Sequence, residues 1–300
     1  MSLSDMKEWE TMDAEKLQEI LRKHEAWLDT NGAEGERADL QGANLSGMNL
    51  AYADLDMANM KEANLAGANL VEAYLRNVNF EEANISGADF SRACLARALF
   101  FSARTCDDSC KSVNFFKADL TGACLRWAKL PYADFRCAIL SNADFREANL
   151  KYADFRDAQL EDTNLSQTTL TNTNLARVHL DETVFFGANL ANANFARSHL
   201  ESVNFSTAHL ERVNFSESFL RDVNFQGAIL DGTNLECAIL LHANLGNAIL
   251  HNANLKCANL ADANLEGAII QDSFLGKTRV AYKGDAERIL QELSETGISG

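Results

Sequence analysis

The chain has 300 residues, 47% of them apolar, with one Pro, 16 Gly, seven Cys and a formal net charge of −16. No apolar run reaches the roughly 18 residues of a membrane span, and no basic stretch followed by a short apolar one opens the chain. The expectation is therefore a cytoplasmic protein without membrane contact. An odd number of scattered cysteines suits that reducing compartment better than a disulfide framework.

In chain order, residues 1–36 read as a helical cap. A helix is predicted over 13–29, with Asp13 as N-cap and Leu17, Ile20, Leu21, His24, Trp27 and Leu28 on one face. Asn31 and Gly32 end it. His24 and Trp27 are read as packing residues rather than a site.

From Leu40 to Leu275 a large apolar residue falls on every fifth position. Of 48 such positions, 46 carry Leu, Phe, Ile or Met, and only Thr105 and Cys110 depart. A small residue stands two places earlier, with Asn or Asp between, as in Ala43-Asn44-Leu45 and Ala133-Asp134-Phe135. A period of five fits neither a helix at about 3.6 nor a strand at about 2. Each unit instead places one small and one large side chain inward and then turns a corner. Two patterns suggest four units per coil. From 115 to 225, positions numbered in 5 are mostly Phe, whereas those numbered in 0 are Leu. Arg76, Arg97, Lys117, Arg136, Arg156, Arg177 and Arg197 recur at steps of 19 to 21 residues. The expectation is a 37–278 solenoid of roughly 12 coils, about 55–60 Å long at ~4.8 Å per coil, stabilised between neighbouring coils.

Runs such as Ala38-Asp39-Leu40-Gln41-Gly42 and Ala43-Asn44-Leu45-Ser46-Gly47 closely resemble the pentapeptide-repeat family, with its A(D/N)LXX pattern. The resemblance spans about residues 37–278. It implies an all-β, right-handed quadrilateral β-helix with helical caps at both termini. Most members of that family have no assigned activity. The best understood members protect type II topoisomerases from quinolones by imitating DNA, and in those members a C-terminal helix forms the dimer.

Sorted on a strict 20-residue step, the surface acids gather in one column. It holds Asp39, Glu62, Glu81, Glu82, Asp119, Glu161, Asp162, Asp181, Glu182, Glu201, Asp222 and Asp262, against Lys61 and Arg221. Glu161, Asp162, Asp181, Glu182 and Glu201 form the candidate DNA-mimic face, since rows of carboxylates can imitate duplex phosphates. The plainer alternative is that these charges keep rods from stacking on one another. The basic run is expected to form salt-bridge ladders rather than to bind nucleic acid directly.

Residues 102–112 break the core rule on two consecutive sides. Asp108 stands where the repeat calls for Ala, so the backbone bulges there or Asp108 turns outward. The register modulo five resumes at Val113, and the count of units is taken as unchanged. Phe101, Arg104, Asp107, Phe116 and Trp127 form a candidate protein-interaction patch, with Tyr132 and Tyr152 stacked on a neighbouring side. Cys237 and Cys257 lie 20 apart and are read either as two reduced surface thiols or as a bond formed on oxidation.

Toward the C-terminus, Ile229, Ile249 and Ile269 occupy one outward column and Phe219 and Ile239 another. Residues 279–300 are predicted to hold a helix from Asp285 to Glu295, presenting Ile289, Leu290 and Leu293. The three isoleucines and this helix are the candidate self-association surface. The helix is either a plain cap or a homodimer contact. No motif for catalysis appears, and no cofactor is expected. His179 and His199 fall beside Asp181 and Glu201, but an open face without a pocket argues against a metal. The function expected is a rigid scaffold for one or more protein partners. The alternative is a regulator of DNA gyrase or topoisomerase IV that imitates DNA.

Overall fold

A computed structural model describes residues 10–105, 112–276 and 278. Its repeating unit follows from three local requirements. The large residue points inward, as with Met60 and Leu65, both fully buried. Two residues then make the corner, which closes when the small residue's N–H returns to the large residue's carbonyl, Ala63 N to Met60 O at 3.1 Å. The second corner residue adopts a left-handed conformation, with φ of 60° at Glu62 and 57° at Glu82. That turns its N–H along the rod axis onto the next coil, Glu62 N to Glu81 O at 2.7 Å.

The Asn of the repeat has two tasks. Asn64 Oδ1 accepts from Ala66 N at 3.2 Å and so steadies the corner. Its Nδ2 donates to Asn44 Oδ1 at 3.0 Å, one coil away. Asp can do the first but has no amide for the second. Parallel bridges pair Asn44 with Asn64 and Asn64 with Asn84, and four such series alternate along the chain. Each coil therefore has four sides. They carry in turn Leu40, Met60, Phe80 and Phe100 (side one), Leu45, Leu65, Ile85 and Thr105 (side two), Leu50, Leu70 and Phe90 (side three), and Leu55, Leu75 and Leu95 (side four). Corner one follows side one, and so on round the coil.

The 20-residue step holds to Asn84–Arg104 and then fails. Asp89 pairs with Asn114, Cys94 with Asp119, Leu99 with Cys124 and Arg104 with Lys129, all 25 apart. At Asn114–Asp134 the step returns to 20. One coil thus has five extra residues, which fall between Thr105 and Val113, and the side chains on either side of them stack as though they were absent. This corrects three expectations. The count of units on the coils is not unchanged across 102–112. The acidic column is two columns: Glu62, Glu81 and Glu82 lie at corner one, whereas Glu161, Asp162, Asp181, Glu182 and Glu201 lie at corner four. The basic run also divides, with Arg76 and Arg97 at corner four and Lys117, Arg136, Arg156, Arg177 and Arg197 at corner three.

The core explains why the extra residues stay out of step. Phe80 stacks on Phe100 at 4.7 Å, and Phe90 on Phe115 at 5.2 Å. Phe90 and Phe100 meet edge to face across the interior at 6.0 Å. The ring ladder on side three thus runs through the irregular coil, from Phe90 to Phe115 and on to Phe135 at 5.0 Å, while Phe100 on side one, followed there by Leu125, packs edge to face on Phe115 at 5.7 Å. Where Thr or Ser replaces the inward Ala, its hydroxyl finds a backbone carbonyl, either of the coil before, as with Thr183 Oγ1 to Leu160 O at 2.6 Å, or of its own corner, as with Thr168 Oγ1 to Leu165 O at 2.6 Å. The polar atom is then buried without loss.

At the N-terminal end, β1 (Glu10–Thr11) pairs in parallel with β2 (Ala43–Asn44). Helix α1 (Ala14–Asp29) lies over the first coil, with Asp13 accepting from Lys16 N at 2.7 Å. Buried Leu17 and half-buried Ile20 and Leu21 pack on the core. His24 is fully buried, and its Nδ1 accepts from Ala38 N at 3.1 Å, which satisfies an open edge of the first coil. Farther along, β3 (His179–Asp181), β4 (His199–Glu201) and β5 (Phe219–Arg221) form a parallel three-stranded sheet on side four. The predicted helix at 285–295 lies outside the described residues. Among the described residues, no helix is long and apolar enough to cross a membrane.

Candidate interaction surfaces

The extra five residues rearrange the expected aromatic patch. Because the step is 25, Arg126 stacks on Phe101, and Ser102 N donates to Arg126 O at 3.0 Å. Phe101 and Trp127 therefore meet at corner one, edge to face, with centroids 4.7 Å apart. The Arg126 guanidinium lies 4.4 Å over the Trp127 ring. Phe116 is not part of this group. It lies at the diagonally opposite corner three, where Lys117 and Arg136 approach its ring at 5.1 and 5.5 Å. Arg104 is exposed on the adjoining side two and pairs with Lys129. Tyr132 and Tyr152 stack at 4.8 Å on corner two, at the far end of that same side. Asp107 lies outside the described residues. Sequence reasoning missed Arg126, which a strict 20-residue step places elsewhere.

The structure thus brings together a surface running from Phe101, Arg126 and Trp127, across Arg104 and Lys129, to Tyr132 and Tyr152. It is aromatic and basic on a protein of net charge −16. Trp127, Tyr132 and Tyr152 occupy left-handed corner positions, with φ of 56°, 63° and 61°. A bulky L-residue there costs roughly 1–2 kcal/mol, which Gly avoids. Folding alone does not call for aromatics at these corners.

The acidic group is also brought together. Asp162 N donates to Asp181 O at 2.9 Å and Glu182 N to Glu201 O at 3.0 Å, which sets the five carboxylates on three successive coils. Beyond the 25-residue coil, among the described residues, side four and its corner carry eight carboxylates against Arg221 alone. The five are not equally free. Glu161 accepts from Ser141 Oγ at 2.8 Å, and Glu201 lies 3.8 Å from His199 and 3.6 Å from Arg221.

Of the basic run at corner three, the four arginines pair with carboxylates, while Lys117 lies over the Phe116 ring. Arg136 reaches Asp134 at 2.6 Å, Arg156 reaches Asp154 at 2.6 Å, Arg177 reaches Asp157 at 2.7 Å and Arg197 reaches Glu217 at 3.1 Å. Burial pushes the Asp134 carboxyl up, but the hydrogen bonds and charge of Arg136 outweigh it and hold it below the usual range. Ladders of this kind leave little cationic surface for phosphates.

Ile229, Ile249 and Ile269 bridge one another on side two, and Ile269 is 47% exposed. Phe219 bridges Ile239 on side four. Ile289, Leu290 and Leu293 lie outside the described residues. Cys237 and Cys257 are free and exposed on neighbouring coils, and the Cys237 thiol is pushed up by burial and by Cys257 beside it.

A filled, four-sided parallel β-solenoid with its distinctive chemistry on the outside defines a repeat protein of the surface-presenting class. The chain belongs to the pentapeptide-repeat family. Pentapeptide repeats match in eight copies over residues 36–65, 58–97, 132–167 and 240–272, and a pentapeptide repeat region matches 164–235. No curated protein matches the chain. Among solved structures it is similar to HetL, a pentapeptide repeat protein involved in heterocyst differentiation regulation from the cyanobacterium Nostoc sp. strain PCC 7120. That likeness is 25% identity over 89% of this chain and 96% of that one, at a TM-score of 0.34. Rfr23 from the cyanobacterium Cyanothece 51142 is 33% identical over 32% of this chain and 64% of that one, at a TM-score of 0.29. QnrB1, a plasmid-mediated fluoroquinolone resistance protein, is 20% identical over 82% and 97%, at a TM-score of 0.25. At these scores no site transfers from them.

Proposed function

We propose that the protein is a non-enzymatic, cytoplasmic scaffold that presents a rigid surface to a protein partner. In this reading the rod is a right-handed quadrilateral helix of roughly 12 coils, closed by helical caps at 1–36 and 279–300. The supporting observation is the Phe101–Trp127 pair with Arg126 stacked on it, assembled on the outside by the one irregular coil. Aromatic and arginine side chains clustered in this way are the usual anchors of protein interfaces. The partner's complementary surface is acidic and offers an apolar slot for Trp127. Affinity capture with wild type, Trp127→Ala and a Phe101→Ala/Trp127→Ala double variant tests it. A partner held by wild type and lost from both variants supports the reading. Equal retention by all three rejects this surface.

A second reading rests on the carboxylates of corner four, stacked on three coils at ~4.8 Å steps. Here the rod imitates DNA toward gyrase or topoisomerase IV. Supercoiling by gyrase is the measurement, with and without a fluoroquinolone. Inhibition or drug protection that disappears on charge reversal at Glu161, Asp162, Asp181, Glu182 and Glu201 supports it. No effect at tens of micromolar protein removes it. The C-terminal isoleucines with Ile289, Leu290 and Leu293 remain the surface proposed for a homodimer, and a monomer mass by light scattering rejects that.

A further inference from the structure

We infer that Asp181, His199 and Glu201 form a binding site for one divalent transition-metal ion of the zinc class. Their donor atoms, one from each residue, all lie within 4.8 Å of one another. Ligands held at about 2.0–2.2 Å around a tetrahedral ion stand roughly 3.4 Å apart, so modest side-chain rotation closes the set. The backbone beneath them is regular. His179, His199 and Phe219 are in register across β3, β4 and β5, as are Asp181, Glu201 and Arg221.

Two further observations point to a cation. Asp181 Oδ1 has no hydrogen-bond partner although it is shut off from solvent. An unpaired buried carboxylate oxygen is costly, and an ion satisfies it. The His199 ring is also held in place. It stacks on Phe219 at 4.8 Å and 10°, and His179 flanks its other side at 5.8 Å. That clamp supplies the orientation that a ligating imidazole ordinarily takes from a hydrogen-bonded neighbour.

One imidazole with two carboxylates selects among ions. Ca2+ and Mg2+ prefer all-oxygen cages, whereas imidazole favours zinc and its transition-metal neighbours. Water completes the coordination, because the corner is open. Arg221 is the internal competitor, 3.6 Å from Glu201. It also lies 3.3 Å from Asp222, which keeps a partner for it when the ion takes Glu201. The pairs His209–Glu211 and His251–Asp231 also leave a shielded carboxylate oxygen without a hydrogen bond, at Glu211 Oε2 and Asp231 Oδ1, but bring two donor residues together instead of three, and so serve as the internal comparison.

Isothermal titration of the full-length, chelator-stripped protein with ZnCl2 tests the site. One tight equivalent is expected, weakened about tenfold or more by Asp181→Asn and by His199→Phe, which keeps an aromatic ring in the stack. His209→Asn leaves it unchanged. Circular dichroism confirms that each variant folds, and Glu201→Gln replaces any that does not. The inference is overturned if wild type takes up no zinc at about 1 mM, if the variants bind as wild type does, or if Ca2+ binds as tightly as zinc.

Discussion

His24 is a neutral acceptor at a place where the fold needs one. Burial lowers its pKa, only partly offset by the Asp54 and Asp56 carboxylates, and Arg37 lowers it further. A histidine whose folded pKa lies below its unfolded value near 6.5 contributes fully above that value. The contribution is lost as pH falls through 6.5 toward the folded pKa, because the unfolded chain takes up the proton first. The urea midpoint should therefore drop between pH 7.5 and 5.5, and His24→Phe should flatten that part of the profile. An equal slope in the variant would refute the assignment. In the core, Phe205 stacks between Phe185 at 4.8 Å and Phe225 at 5.3 Å. Phe205→Ala should cost about 3–5 kcal/mol in urea unfolding, and Phe205→Leu about 1 kcal/mol, because Leu165 already fills a rung of that ladder. The inward and outward alternation of these residues is plain in the sequence. The acceptor role of His24 is not, because periodicity reports which face a side chain occupies and not which N–H it meets.

At the scale of elements, α1 was legible because its signals are local: Asp13 as cap, apolar residues at helical spacing, and Gly32 at its end. The sequence gives no cue for the pairing of β1 with β2, since two residues are too few for a period. The junction between helix and solenoid depends on Gly35. Its φ is +73°, and a Cβ there would stand 2.1 Å from Lys23 O and 2.7 Å from Trp27 N. Both atoms are backbone, so neither can yield. Gly35→Ala should lift α1 from the first coil, seen as faster amide exchange over 17–38 while coils near 200 keep their protection. Unchanged exchange over α1 would show that the helix does not rely on this contact.

For the whole molecule, the irregular coil sets the arrangement of every surface. Deleting residues 106–110 should leave the rod folded, with Tm within about 4 °C of wild type, because all described stacks already bypass them. Deleting a regular unit such as 143–147 should be far worse, since Phe135 and Phe155 would lose register. Aggregation of the 106–110 deletion would contradict this account. A cue to the five-residue shift was present in the sequence. Phe80, Phe90 and Phe100 fall on positions numbered in 0, whereas the Phe positions from 115 onward are numbered in 5. A count modulo five is blind to that change of parity, and the strict 20-residue step then assigned later charges to the wrong corner. The shape of the acidic and aromatic surfaces was illegible for that reason alone.

The left-handed corners make the rod a graduated scale. Each corner residue is set out at a fixed height of ~4.8 Å per coil and at one of four headings. A duplicated unit absorbed into the coil would swing every later heading by a quarter turn and scramble whatever the surface displays. Here the phenylalanine ladder of side three, with Phe100 packed edge to face against it, holds phase through the interruption. The interior therefore acts as an error-correcting frame: units can be gained at a corner while the display downstream keeps its bearings.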